Sequence, residues 1–310
     1  MQHQLKFRGD HSFTIAQFTD VHWKNGEAED LRSRALMEQV LEAEQPDLVV
    51  FTGDVVASYA SLDPIRAFRE AVKSVDERQI PWAVVFGNHD TERIITRREL
   101  INVASEYALC VTEQGPADIT GFGNCVLEIV DPNGQAAALL YLLDSGNQSC
   151  LSTVSGYDWI RRDQIEWYVR SSRTATQQNG GTPLPSLAFF HIPLPEYRQV
   201  WAQEVCYGNK FEDVCCPNLN SGLFAAMVEM GDIMGTFVGH DHVNDYWGTL
   251  HGIRLCYGRA TGYNEYGKEG FPRGARMIRL RAGERQFESW LRLDDGSVIR
   301  DQPAHLPDEK

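Results

Sequence analysis

The chain has 310 residues, of which 43% are hydrophobic, and a formal charge of -14. It has no run of clustered Lys or Arg, so a nucleic-acid surface is not expected. It has no 18-residue apolar stretch and no apolar core after its first residues, which predicts a cytoplasmic protein with no membrane segment. The seven cysteines are irregularly spaced with no C-x-x-C, so we expect mostly buried thiols rather than a zinc ribbon. Composition favours no particular oligomeric state.

Short apolar runs alternate with helix-like segments in the first third of the chain. Strands are predicted at 13–18, 47–54 and 81–87, where β-branched and aromatic residues are frequent. Helices are predicted at 29–45, 63–79 and 91–107. This β-α-β-α-β order indicates a layered α/β fold.

The remaining segments are less regular. The predicted elements are strands at 125–131 and 136–145, a helix at 157–172, a polar loop at 176–185, strands at 186–193 and 233–242, and antiparallel C-terminal strands at 253–258, 275–280 and 288–293. No linker, repeat or low-complexity segment interrupts the chain, so residues 1–310 are expected to form one domain.

Five predicted strands end in polar residues that a core does not need. The endings are Asp20-Val-His22, Gly53-Asp54, Gly87-Asn88-His89-Asp90, His191, and Gly239-His240-Asp241-His242. A single Asp or Asn after a strand is usually a turn residue or helix cap, and a single His there is usually structural. Turns do not require imidazole, however, and five of the nine histidines lie at these ends. Ligands of open α/β sheets bind beyond the carboxyl ends of the strands.

These residue types together predict a metal centre. Imidazole and carboxylate bind Mn, Fe, Zn or Ni, and the absence of Cys excludes a structural thiolate site. On an extended chain, Asp20 and His22 would share a face. Asp54 is expected to bridge two ions with its two oxygens, and the glycines before it and before Asn88 and His240 are expected to allow sharp turns.

The ordered set D-x-H, G-D, G-N-H-D, H and G-H-x-H, from residue 20 to 242, resembles the calcineurin-like metallophosphoesterase superfamily. The stretches "GHDHVNDYWG" and "LCYGRATGYNEYG" resemble its purple-acid-phosphatase-like branch. The resemblance implies an α/β fold, the four-layer α-β-β-α sandwich, over the whole chain. Ala57 stands where purple acid phosphatases carry an iron-binding tyrosine, so two divalent ions without purple colour are expected.

The resemblance also implies roles for the strand-end residues. The first ion would be held by Asp20, His22, Asp54 and His242. The second would be held by Asp54, Asn88, His191 and His240. Asn88 and His89 would contact substrate, His89 would protonate the leaving group, and Asp90 would orient His89 through its ring N–H.

The implied activity is metal-dependent hydrolysis of phosphate monoesters and/or diesters of a small substrate, by attack of a metal-bridging hydroxide. Two carboxylates leave roughly two positive charges on two divalent ions, which attracts phosphate despite the acidic chain. The alternatives are a diesterase specialised for cyclic nucleotides or phospholipid-type diesters, and a non-catalytic scaffold of the same fold. A 2-His-1-carboxylate oxidoreductase does not account for a bridging Asp54.

The sequence leaves alternatives open for the residues that would select a substrate. Tyr197, Trp201 and Tyr207 either stack on a leaving group or, as we favour, pack internally. Arg259, between glycines, either binds phosphate as a fork or pairs with a carboxylate. Asn220, Ser221 and Gly222 either contact phosphate or, as we favour, cap a helix at 222–230.

Overall fold

The computed structural model describes residues 3–307. Within them, the six helices are α1 (Ala28–Glu44), α2 (Pro64–Asp76), α3 (Arg97–Ala104), α4 (Arg162–Gln178), α5 (Glu196–Gln203) and α6 (Leu223–Met230), and a 3-10 turn covers His89–Thr91. The strands in chain order are β1 (Leu5–Lys6), β2 (Ser12–Phe18), β3 (Leu48–Thr52), β4 (Trp82–Val85), β5 (Cys125–Val130), β6 (Ala136–Leu142), β7 (Ser186–Phe189), β8 (Cys206–Tyr207), β9 (Ile233–Val238), β10 (Trp247–Leu250), β11 (Ile253–Tyr257), β12 (Gly274–Arg281), β13 (Phe287–Leu293), β14 (Val298–Ile299) and β15 (Ala304–His305).

The strands form two sheets. The first sheet has the order β1-β5-β6-β7-β9-β11-β10-β8-β15, and the second has the order β14-β13-β12-β2-β3-β4. In the second sheet β2, β3 and β4 are parallel, and in the first sheet β6, β7, β9 and β11 are parallel. Parallel strands bring their carboxyl ends to one edge of a sheet, so the five predicted endings lie along two neighbouring edges.

Side-chain alternation along the strands builds four layers. In β2, Phe13 and Ile15 point into a core between the two sheets, whereas Ala16 and Phe18 point into a core beneath α1 to α3. A third core joins the outer face of the first sheet to α4, α5 and α6 and contains Tyr168, Tyr197 and Met227. The predicted α-β-β-α sandwich is therefore confirmed.

Several predicted elements differ from the structure. The helix predicted at 91–107 is shorter, because Thr96 and Glu99 form a capping box that starts α3 at Arg97. The helix predicted at 157–172 starts later and continues to Gln178, into the predicted polar loop. Helix α5 was not predicted.

The C-terminal strands were predicted as consecutive antiparallel neighbours, and this is wrong in part. Strand β11 pairs antiparallel with β10 but parallel with β9, in the first sheet. Strands β12 and β13 pair antiparallel with each other in the second sheet. The chain therefore changes sheets between Tyr257 and Gly274.

The seven cysteines are free thiols, and four of them are buried. In residues 3–307, no helix is both long enough and apolar enough to cross a membrane.

Candidate metal centre

The site lies where β2, β3, β4, β7 and β9 end. The two sheets are joined there by hydrogen bonds between buried groups. The ring of His191, after β7, donates from Nδ1 to the carbonyl of Thr52, at the end of β3, over 2.8 Å. Gln17 donates to the carbonyl of Val238 over 3.0 Å. These bonds hold the two strand edges at a fixed separation.

The backbone at the strand ends is unusual. Of eight non-glycine residues with positive φ in the described chain, four are Asp20, His22, Asp54 and His240, with φ of 54°, 49°, 49° and 79°. Such conformations are uncommon for residues with a Cβ and cluster at functional sites. The expectation that Asp20 and His22 share a face of an extended chain is therefore wrong, although the two side chains do converge.

The glycines before the candidate ligands have two different uses. Gly53 has φ of +89°, so it makes the expected sharp turn. Gly87 and Gly239 are not left-handed; instead a Cβ on Gly87 would lie 2.1 Å from Asp54 Oδ1, and one on Gly239 would lie 1.9 Å from Thr19 Oγ1. At these two positions glycine permits close packing rather than a turn.

The structure brings six candidate ligands into two buried groups. Asp20, His22 and His242 form the first group, and Asp54, His191 and His240 form the second; within each group one ligand atom per residue lies within 4.8 Å of the others. In the first group, His22 Nε2 and His242 Nε2 are 3.2 Å apart. In the second, His240 Nδ1 and His191 Nε2 are 3.3 Å apart. Ring nitrogens that face each other so closely require a shared proton or a cation between them.

Asp54 lies between the two groups. Its Oδ2 is 3.0 Å from His191 Nε2 and 3.7 Å from His22 Nε2, and it is buried without a hydrogen-bond partner. Its Oδ1 accepts the backbone N–H of His89 over 2.7 Å. A single oxygen, rather than the two we expected, therefore faces both groups.

The charges of the cluster suit a divalent cation. Burial opposes ionisation of Asp20 and Asp54, but neighbouring imidazoles outweigh it and lower both pKa values. Burial lowers the pKa of His22 to about 3, and burial together with His191 lowers that of His240 to about 3. Asp20 and Asp54 are therefore ionised and His22 and His240 neutral, which are the protonation states that bind metal. Burial lowers the pKa of His191, but Asp54 outweighs it and raises the value to about 9, so this ring holds a proton beside Asp54 that a bound cation would displace.

Asn88 contributes another unpaired oxygen. Its side-chain Oδ1 is buried and accepts no hydrogen bond within the described residues, although buried amide oxygens are normally paired. Asn88 directly precedes His89, whose backbone N–H donates to Asp54 Oδ1, and an unpaired amide oxygen at this position fits a metal ligand. The donor set as a whole thus fits the two-ion centre that the sequence predicts.

The expectation that Asp90 orients the His89 ring is wrong. The Asp90 carboxylate accepts the backbone N–H groups of Asp54, Val56 and Gly87 over 3.0, 2.9 and 2.7 Å. It therefore ties the turn after β3 to the turn after β4. The His89 Nδ1 lies instead 3.1 Å from a carboxylate oxygen of Glu92. The 3-10 turn explains this pairing, because residues i and i+3 are eclipsed in such a turn.

The structure also assigns Arg259 to packing rather than to phosphate. The side chain is 4% exposed, and its guanidinium pairs with Asp245 and donates from Nε to the carbonyl of Pro272 over 2.7 Å. The same group lies over the ring of Phe271. The prediction of a substrate-binding Arg259 is therefore wrong, and the alternative of a carboxylate partner holds.

Each of the three aromatic residues considered for stacking on a leaving group packs against the protein itself, although Tyr207 is 36% exposed. Tyr197 is buried, Trp201 stacks on His305 at 3.7 Å between ring centroids, and Tyr207 stacks on Trp247 at 4.6 Å. Asn220 accepts the N–H of Gly222, the residue that caps α6.

Three other tyrosines contact the histidines of the site and were not predicted. Tyr59 lies against His89, Tyr157 against His240 and Tyr266 against His242, at centroid distances of 5.7, 4.4 and 4.3 Å. Only Tyr266 lay in a stretch that the sequence singled out, "YNEYG".

A family model described as calcineurin-like phosphoesterase matches residues 13–244. The chain belongs to this family. Among curated proteins, it is 34% identical to Probable inactive purple acid phosphatase 29 of Arabidopsis thaliana, over 96% of this chain and 87% of that one. It is 33% identical to Phosphatase DCR2 of Saccharomyces cerevisiae, over 94% of this chain and 55% of that one.

Two solved structures superpose on the fold of this chain. A dimetal phosphatase from Danio rerio superposes with a TM-score of 0.57 at 15% identity, covering 89% of this chain and 98% of that one. GAP50, described as the anchor in the inner membrane complex of Plasmodium, superposes with a TM-score of 0.52 at 10% identity, covering 96% of this chain and 89% of that one. At these identities the likeness concerns the fold alone.

Proposed function

We propose that this member of the calcineurin-like phosphoesterases hydrolyses phosphate monoesters or diesters of small molecules with two divalent transition-metal ions. The observation that carries the proposal is the position of Asp54 Oδ2, which lies 3.0 Å from His191 Nε2 and 3.7 Å from His22 Nε2 and so faces both ligand groups. A carboxylate oxygen in that position is suited to joining two ions a few ångströms apart. Membership of the calcineurin-like phosphoesterase family supports the same chemistry.

The residues that would hold the ions follow from the two groups. Asp20, His22 and His242 would hold the first ion, and His191, His240 and Asn88 would hold the second, with Asp54 shared. These nitrogen and oxygen donors suit Mn, Fe, Zn or Ni. Two bound divalent ions would supply Lewis acidity and would lower the pKa of a water at the site. The two carboxylates leave a net positive charge that retains a phosphate group.

We infer that His89 acts on the substrate, because its ring is more exposed than those of the candidate ligands. Its side chain is 34% exposed, whereas those of the ligands His22, His191 and His242 are at most 5% exposed. Glu92 faces Nδ1, which leaves Nε2 as the nitrogen that can donate to a leaving-group oxygen. Burial lowers the pKa of His89, but Asp54 and Glu92 outweigh it and raise the pKa in the metal-free protein. Of the two carboxylates, Glu92 is outside both ligand groups and would continue to favour the protonated ring that an acid needs when ions are bound.

The variant His89→Ala tests this role, because His89 is absent from both ligand groups. An acid matters most for a poor leaving group, so turnover of an alkyl phosphate should fall by about 100-fold or more, and that of p-nitrophenyl phosphate by much less. Both should be measured as kcat/KM, with metal content determined in the same sample. His251→Ala, in the turn between β10 and β11, is the control for loss of a partly solvated histidine.

Two results would contradict the proposal at different points. Equal losses for both esters, at full metal content, would remove His89 from the role of acid. Three relatives carry the name probable inactive purple acid phosphatase. If this chain bound two ions and hydrolysed no mono- or diester, the scaffold alternative would replace the enzymatic one.

A further inference from the structure

Five rings form a continuous row along one side of the metal centre. Neighbouring ring centroids are 5.7, 5.3, 4.9 and 4.3 Å apart. In order, the rings are Tyr59, His89, His22, His242 and Tyr266. Glu265 joins the two ends, because it precedes Tyr266 in the chain and accepts the hydroxyl of Tyr59. Tyr266 is 52% exposed, so this circuit of six residues borders solvent beside His89.

The hydroxyls of Tyr59 and Tyr266 both donate hydrogen bonds to carboxylates. Tyr59 donates to Glu265, and Tyr266 donates to Glu212 over 2.7 Å. The other oxygen of Glu212 accepts the N–H of Val243 over 2.8 Å. Each phenol has one proton to donate. Neither tyrosine can therefore donate to a substrate oxygen without losing its present bond.

Two basic side chains bind the loop of residues 264–266 through its backbone carbonyls. Arg273 is buried and donates to the carbonyls of Glu265 and Tyr266 over 2.9 and 2.7 Å. Lys24 donates to the carbonyl of Asn264 over 3.3 Å. These two cations bind the backbone of the loop. The side chains that the loop presents to the row of rings are Tyr266, which stacks on His242, and Glu265, which accepts the hydroxyl of Tyr59.

We propose that this circuit selects phosphoesters whose leaving alcohol carries an ammonium group. The inference rests on the proposed function, in which His89 acts on the leaving-group oxygen. Tyr59 and Glu92 contact His89, and Glu265 accepts the hydroxyl of Tyr59. Ring faces and carboxylates both attract an ammonium ion. A second phosphate or a carboxylate on the leaving alcohol would face the carboxylates of Glu92 and Glu265, so polyanionic substrates are disfavoured.

The test compares esters of the same shape and different charge. The alcohols are choline and 3,3-dimethylbutanol, in which carbon replaces the nitrogen, with 3-hydroxypropanoate as the anionic member. Each is prepared as phosphate monoester and as methyl phosphodiester, so that a preference for either ester type does not decide the result. Release of the alcohol by the metal-loaded wild type gives kcat/KM, and we expect the choline ester to exceed the neutral one by about tenfold or more.

Variants separate the effect of the circuit on selectivity from the intrinsic reactivity of the esters. Glu265→Gln keeps an acceptor for Tyr59 and removes one charge, and it should lower the choline-to-neutral ratio by about fivefold. Tyr266→Ala removes a ring and should also lower the ratio, whereas Tyr266→Phe keeps the ring face and should lower it less. Glu229→Gln, on the exposed side of α6, is the control for charge loss alone. Because one ester pair is used throughout, its intrinsic reactivity cancels.

Binding of free choline and free 3,3-dimethylbutanol, measured by calorimetry on the metal-loaded protein, gives a readout without turnover. Tighter binding of choline, weakened by Glu265→Gln, supports the inference. An unchanged choline-to-neutral ratio in both Glu265→Gln and Tyr266→Ala would overturn it while the proposed function stood. Failure to hydrolyse any of these esters or p-nitrophenyl phosphate, with two ions bound, would instead overturn the proposed function.

Discussion

The substitution Gly87→Ala tests how closely the site is packed around Asp54. The added Cβ would lie 2.1 Å from Asp54 Oδ1 and 2.5 Å from the Asp54 backbone nitrogen. Ordinary contacts begin near 3.4 Å, so the Asp54 side chain must retreat by about 1 Å or more. Gly87 is not left-handed, so alanine introduces a clash rather than backbone strain.

A displacement of this size exceeds what a metal ligand tolerates. Ligand distances in working sites fall within about 0.2 Å of their usual values. Because Asp54 Oδ2 faces both groups, the affinities for both ions should fall, by about 100-fold or more, and turnover should fall with them. Overpacking alone should lower the free energy of unfolding by about 1–3 kcal/mol, which leaves most such domains folded.

Metal affinity is measured by competition with a chromophoric chelator, and folding of the metal-free variants by thermal denaturation. Gly9→Ala is the control, since no atom lies within 4 Å of its Cβ. Gly239→Ala is the informative comparison, because its Cβ would lie 2.8 Å from Asp20 Oδ2 and should weaken mainly the first ion. If folded Gly87→Ala bound both ions as tightly as the wild type, the shared position of Asp54 would be refuted.

The remaining predictions concern individual side chains. Asp54→Ala should abolish binding of both ions, whereas His22→Ala should weaken chiefly the first; equal and independent losses in metal titrations would speak against a shared Asp54. The iron-loaded protein should show no phenolate-to-iron absorption band, because Ala57 replaces the tyrosine of purple acid phosphatases and the Tyr59 hydroxyl is hydrogen-bonded to Glu265. A visible band would show that another tyrosine reaches the metal. Asp90→Asn should lower metal content, because it disturbs the acceptor of three backbone N–H groups; normal metal content with selective loss of alkyl-ester turnover would restore Asp90 as the partner of His89.

The sequence was sufficient for the strands that carry the site. β2, β3 and β4 lie within the ranges predicted for them or begin one residue earlier, because buried runs of β-branched and aromatic residues have few alternatives. Sheet membership was not predictable for β11 and β12, since pairing partners distant in the chain leave no local pattern. Helix α5 has the mostly polar sequence EYRQVWAQ and buries only Glu196, Tyr197 and Val200, so it lacks the apolar run by which the equally short α6 was predicted.

At the site, the sequence indicated the residue types but not their local geometry. The imidazole, carboxylate and amide side chains at the strand ends indicated metal chemistry because turns do not need them. The left-handed φ of Asp20 and Asp54 occurs where the chain after β2 hydrogen-bonds to the chain after β3, from Asp20 N–H to Gly53 O and from His22 N–H to Asp54 O, and such pairing leaves no local sequence pattern. The partner of His89 depended on whether its turn was extended or helical, and the 3-10 turn placed Glu92 beside it instead of Asp90.

The most direct test of the central claim is a titration of the metal-free protein with Mn, Fe, Zn or Ni, in which bound ions per chain and hydrolysis of p-nitrophenyl phosphate and its diester are measured in the same samples. Two ions sharing Asp54 predict that turnover rises as occupancy approaches two per chain, disappears with a chelator and returns when metal is restored. Full turnover with no more than one ion bound, or no turnover with both sites filled, would contradict a dinuclear phosphoesterase.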